Sequence, residues 1–232
     1  MSEDKRLSVE KGDYASGPCY PELVLLLATG VAHVLIELFS DGLKGVSSDL
    51  NRPQYIFNIV AVCVWLAYFA WRFTTVKGLA KDWGFGLKGF ISSFSRCILF
   101  LILPGALLLG IYGRIMGNWP LPGSFWLVMM LYPVWAVPQE FALQVLVRRN
   151  LTSLVSSKLI RAVVSSALFS LAHFPDFKLM PLTFVVGVPL TLVYEKHRNL
   201  WSIGITHAVL GSLAYYLVLG ADTGGEFLNL LQ

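Results

Sequence analysis

The chain has 232 residues, 56% of them hydrophobic and 14% charged, with a formal net charge of +4. Soluble domains carry about 25% charged residues, so an ordinary water-soluble domain is excluded and the composition points to lipid. The small positive charge comes from loops rather than one basic face, which excludes a nucleic-acid footprint.

The first twenty residues, MSEDKRLSVEKGDYASGPCY, are polar and mixed in charge, with no apolar core ahead of a small-residue cleavage site. They read as a cytoplasmic tail (1–20), not a signal peptide. A bilayer-crossing helix needs about 20 apolar residues. Seven candidate spans follow, near Pro21–Phe39, Tyr55–Phe73, Phe90–Tyr112, Ser124–Val147, Leu159–Phe174, Met180–Tyr194 and Trp201–Leu219. The expected fold is all-α: a polytopic transmembrane helical bundle of about seven spans, with an eighth span or a re-entrant helix as the alternative. Residues 21–219 form a single domain with a motif-bearing core at 124–219, and 220–232 is a plain C-terminal tail.

Basic residues set the expected orientation. Lys5, Arg6 and Lys11, the run from Arg72 to Arg96, the connection with Arg148, Arg149, Lys158 and Arg161, and Lys196 with Arg198 fall on one side of a seven-span arrangement. Only Lys44, Arg52, Arg114 and Lys178 fall on the other. The positive-inside rule then places the N-terminus in the cytoplasm and the C-terminus outside. Cys19, Cys63 and Cys97 form no close pair and no CxxC, and read as buried, inert thiols.

Ionisable groups are costly inside a bilayer, and those retained there usually face a cavity. Glu140 with Gln139 and Gln144 on span four, His173 on span five and His207 on span seven are the informative ones. Glu140 and Gln144, Phe169 and His173, and His207 and Gly211 each stand four apart, so each pair shares a helix face. At about 1.5 Å per residue, Glu140 lies roughly 12 Å from Arg148, His207 roughly 13–14 Å from Arg198, and His173 roughly 18 Å from Arg161. Three ionisable groups at similar depth suggest one polar chamber suited to hydrolysis: a carboxylate takes a proton from water, and an imidazole positions that water or stabilises an oxyanion. A helix restarting near Pro138 would bring its positive end to Glu140. Bland readings stand beside these: Glu140 as a packing ion pair, His173 as a helix-end residue bonded to backbone, His207 and Gln144 as interhelical glue. Glu22, and His33 with Glu37, read as surface groups.

Gln139-Glu140-Phe-Ala-Leu-Gln144, Phe169-Ser-Leu-Ala-His173 and His207-Ala-Val-Leu-Gly211 resemble the three motifs of the CAAX protease and bacteriocin-processing (Abi) family of intramembrane endopeptidases, over roughly the last hundred residues. The family pattern is EExxxR, FxxxH and HxxxN or HxxxD. The chain departs from it at Gln139, Gln144 and Gly211, and its Pro-Gln-Glu and His-x-x-x-Gly elements resemble a bacterial branch. The resemblance implies an intramembrane glutamate-type endopeptidase: Glu140 activates water with His173, His207 stabilises the oxyanion, and Gln139, Gln144, Phe169 and Gly211 support them. The implied substrate is a membrane-associated or lipid-anchored protein or peptide, and the implied location is a cell membrane. No cofactor is required. A zinc ion on Glu140, His173 and His207 is the rival reading, weakened by the lack of an HExxH and by ligands drawn from three helices. The alternatives are a non-catalytic protein of the same fold, in a scaffold or self-immunity role, and a small transporter.

Overall fold

A computed structural model describes residues 19–40, 53–222, 224–225 and 228. The tail 1–18, Lys44, Arg52, the Glu37 side chain and most of 223–232 lie outside the described residues. Among the described residues there is no strand, and seven long helical runs follow one another; the all-α expectation is borne out. The chain divides into two compact units, residues 1–82 and 83–232.

The first unit holds α1 (Tyr20–Ser40) and α2 (Pro53–Thr75), which pack together, and a single turn at Leu79–Asp82. Glu22 is 2% exposed, not a surface group. Its carboxylate accepts from the Tyr68 hydroxyl and lies 3.4 Å from Arg72 Nε. Tyr68 and Arg72 are one turn apart on α2, so a single helix face supplies both partners that a buried carboxylate requires. His33 stacks on Phe57, with ring centroids 6.5 Å apart.

The second unit contains α3 (Phe90–Met116), α4 (124–151), α5 (Lys158–Leu171), α6 (Leu179–His197) and α7 (Leu200–Leu219). α7 packs on α3 and α4, while α5 and α6 form a tightly packed hairpin that meets the second half of α4. Short polar side chains hold the starts of α5, α6 and α7. Ser157 accepts from the Ile160 N–H, Asp176 from Lys178 and Leu179 N–H, and Asn199 from Ser202 N–H. Asn199 also donates to the Gly86 carbonyl, and Leu200 N–H to Gly84, which ties the loop after Trp83 to the start of α7. Glycines let the α7 backbone and side chains approach closely: a Cβ at Gly204 would lie 2.5 Å from Val137, and one at Gly113 2.5 Å from Leu217.

Among the described residues, α3, α6 and α7 are long and apolar enough to cross a membrane by length and composition. α5, with 14 residues, reaches about 21 Å, short of a core about 30 Å thick. α4 is interrupted at Tyr132–Pro133 and has a polar buried face. The three cysteines are free, but only Cys97 is buried; Cys63, on an outward face of α2, is exposed.

Candidate active site

α4 carries Glu140, Gln144 and Arg148 at four-residue intervals, hence on one face. The helix resumes at Pro133, where a missing N–H costs nothing, and Pro138 lies inside it. The expected restart at Pro138 is therefore wrong. Nearly two turns separate the helix start from Glu140, too far for its end charge to act. Directly after Phe141 the backbone widens into a π-helical stretch, Ala142–Arg148, a distortion common at functional sites.

The Glu140 carboxylate is fully buried and doubly held. His207 Nδ1 lies 2.9 Å from Oε1, and Gln144 Nε2 donates to Oε2 at 3.1 Å. A carboxylate only accepts, so His207 carries a proton on Nδ1. Gln144 Nε2 also donates to Thr191 Oγ1 at 3.0 Å, joining α6 to the site. His207 is 8% exposed and Gln144 0%.

His173 stands beyond the end of α5, in the turn that leads to α6, rather than on the helix. Its Nδ1 lies 2.8 Å from the Phe169 carbonyl. Since a carbonyl only accepts, Nδ1 holds the proton and Nε2 of the neutral ring is an acceptor. The Phe169 ring meets both histidines edge to face, His173 at 4.7 Å and His207 at 5.6 Å between centroids. Glu140, His207 and Gln144 are thus in direct contact, and His173 joins them across Phe169. Gln139 is half-buried, and neither its Oε1 nor Gln144 Oε1 has a protein partner. Gly211 lies one turn beyond His207, against Tyr132. Among the described residues no three His, Cys, Asp or Glu side chains gather as a metal-ligating set. Each histidine turns Nδ1 to a protein acceptor, Glu140 for His207 and the Phe169 carbonyl for His173, and leaves Nε2 for another partner.

One turn further along α4 stand Arg148 and Arg149, and with Arg161 on α5 they are each 1% exposed. They are not the solvated loop charges expected from their positions. Glu195 on α6 sits between two of them, with Oε1 3.3 Å from Arg148 Nη1 and 3.0 Å from Arg161 Nε. Arg161 Nη1 donates to the Val155 and Ser156 carbonyls at 2.7 and 2.9 Å, and Arg148 Nε to the Gln144 carbonyl at 3.2 Å. Sequence reasoning missed Thr191, Glu195 and Tyr132. The four-residue spacing of Thr191 and Glu195 was the available signal.

Residues 121–213 match the model of a family described as type II CAAX prenyl endopeptidase Rce1-like. The match covers under half of the chain and contains all of the motif positions from Gln139 to Gly211. It supports the CAAX protease family for this chain, as the motif resemblance implies, and with it a peptidase of the membrane. No curated protein and no solved structure matches the chain.

Proposed function

We propose that the protein is an intramembrane endopeptidase that hydrolyses a peptide bond in a membrane-associated or lipid-anchored substrate. One observation carries this reading: a fully buried Glu140 carboxylate 2.9 Å from His207 Nδ1. An attacking water is held by Glu140 and by His173 Nε2, both acceptors. Glu140 takes its proton as the new C–O bond forms. In this mechanism His207 carries both ring protons, with Nδ1–H on Glu140 and Nε2–H donated to the oxyanion. When the C–N bond breaks, Glu140 returns the proton to the leaving amine. The free acceptors Gln139 Oε1 and Gln144 Oε1 suit substrate N–H groups. No step uses a metal.

In this reading the helical runs form a polytopic membrane bundle, with α3, α6 and α7 long and apolar enough to cross the bilayer. The N-terminus is cytoplasmic, the C-terminus outside, and the substrate enters from the cytosolic side. The partners are the bilayer and the substrate, with no nucleic acid. The test is cleavage of a farnesylated CAAX peptide by purified protein in liposomes. Wild type releases the C-terminal fragment, and Glu140→Gln slows release by about 10²–10⁴-fold. Cleavage at the wild-type rate by Glu140→Gln ends the reading. Gln139 favours a second reading, a non-catalytic protein of the same fold, because an amide cannot serve as a base. Full complementation of a deletion strain by Glu140→Gln would select it.

A further inference from the structure

His207, Gly211 and Tyr215 recur every four residues on α7 and line one face. A Cβ built at Gly211 would lie 2.5 Å from Tyr132 Cε1 and 3.2 Å from its Cζ and hydroxyl oxygen. No side chain at 211 can coexist with Tyr132 in this position. The phenol of α4 thus occupies the volume into which a side chain at 211 would project.

Tyr132 reaches that volume from the break before Pro133. Its ring meets His207 edge to face at 6.2 Å and Tyr215 at 5.9 Å. Ring contacts thus link Tyr132 to His207 and Tyr215, and Phe169 links His207 to His173. Tyr132 and Tyr215 are half-buried, so neither is sealed in the core. A phenol next to the catalytic imidazole is a neutral donor that keeps its proton at neutral pH.

We propose that Tyr132 is a catalytic residue whose hydroxyl donates the second hydrogen bond to the oxyanion, delivered from α4 in place of a side chain at position 211. This rests on the endopeptidase reading above. As water adds to the scissile carbonyl, the C=O π electrons move onto oxygen, where Tyr132 Oη–H and His207 Nε2–H receive the charge. When the tetrahedral centre collapses, those electrons re-form C=O, the C–N bond breaks and the amine leaves with the proton held by Glu140. Tyr132 remains protonated throughout.

The experiment uses the full-length protein in liposomes with the farnesylated CAAX peptide. Tyr132→Phe keeps the ring and removes the donor; kcat should fall about 10²–10³-fold, the loss typical of one oxyanion donor, with KM within twofold. Gly211→Asn alone should be inactive because its Cβ meets Tyr132. Tyr132→Ala should be inactive as well, and the double variant Tyr132→Ala/Gly211→Asn should recover at least tenfold over Tyr132→Ala by supplying the donor from α7. A merely structural phenol gives no such recovery. Tyr132→Phe at the wild-type kcat, while Glu140→Gln is dead, overturns the proposal and leaves the endopeptidase reading intact. No cleavage by wild type, or full cleavage by Glu140→Gln, overturns both.

Discussion

The second unit holds two carboxylates with close partners, Glu140 fully buried and Glu195 partly buried, and they are treated in opposite ways. Glu195 lies between two guanidinium groups, Arg148 and Arg161, each fixed by further bonds to backbone carbonyls. Glu140, two turns of α4 before Arg148, has an imidazole and a carboxamide. An arginine pair never gives up its proton, so Glu195 is locked as an anion and has no chemistry to offer. An imidazole and a carboxamide are hydrogen-bond donors without the permanent charge of a guanidinium, so Glu140 is not locked in that way. Burial alone does not mark a reactive carboxylate; the identity of its partners does.

The comparison breaks most visibly if the two glutamates are disabled separately. Arg161→Met leaves Glu195 with one guanidinium and removes two carbonyl bonds. Unpairing a buried ion pair costs about 3–5 kcal/mol, so the thermal midpoint in detergent should drop sharply and membrane levels with it. Glu140→Gln keeps shape and hydrogen bonding and should melt close to wild type while losing cleavage. An Arg161→Met protein that melts like wild type would show that Glu195 is not the structural carboxylate of the pair.

The same contrast explains what was legible in the sequence. Four-residue spacing and depth counted from flanking charges were enough to bring Glu140 and His207 together, because both lie on regular helix. His173 was harder. It sits past the last turn of α5, where rise per residue no longer measures depth. Arg148 and Arg161 were read as loop charges because each stands at a helix end. The carboxylate that buries them arrives from α6, about 35 residues or more downstream in sequence, and helix pairing is invisible to composition. Gln144, a departure from the family pattern, proves to hold Glu140 and Thr191 at once. Gly211 was read as a departure from the family pattern, and only the position of Tyr132 shows what fills the space beside it.

Thr191 sharpens the distinction at smaller scale, since it fastens the reactive carboxylate indirectly. Thr191→Val removes the acceptor for Gln144 Nε2 and leaves a buried N–H unpaired, at a cost of about 1–3 kcal/mol. Freed of that tether, Gln144 should hold Glu140 less firmly, and kcat should fall roughly tenfold at constant KM, while Thr191→Ser preserves both stability and rate. Equal kcat in the valine and serine variants would remove Thr191 from the positioning of Glu140.

A third carboxylate, Asp222, completes the series at the solvent-exposed end, where partners are hydroxyls and backbone. Ser124 Oγ donates to its Oδ1 at 2.5 Å and Gly225 N–H at 2.8 Å. Donation by Ser124, then by the Gly225 N–H, holds its pKa below the usual carboxylate value. A depressed pKa in the fold means a contribution that is fully present above the unfolded value of about 3.9, and is lost as pH falls through the folded value. Solvent screens this exposed group, so the effect is the smallest of the series. It is expected only as a melting difference between wild type and Asp222→Asn that is present at pH 7 and vanishes near pH 3. A difference that persists unchanged to pH 3 would mean that the aspartate acts through shape, not charge. The fastening of the segment after α7 to the start of α4 would then be independent of ionisation.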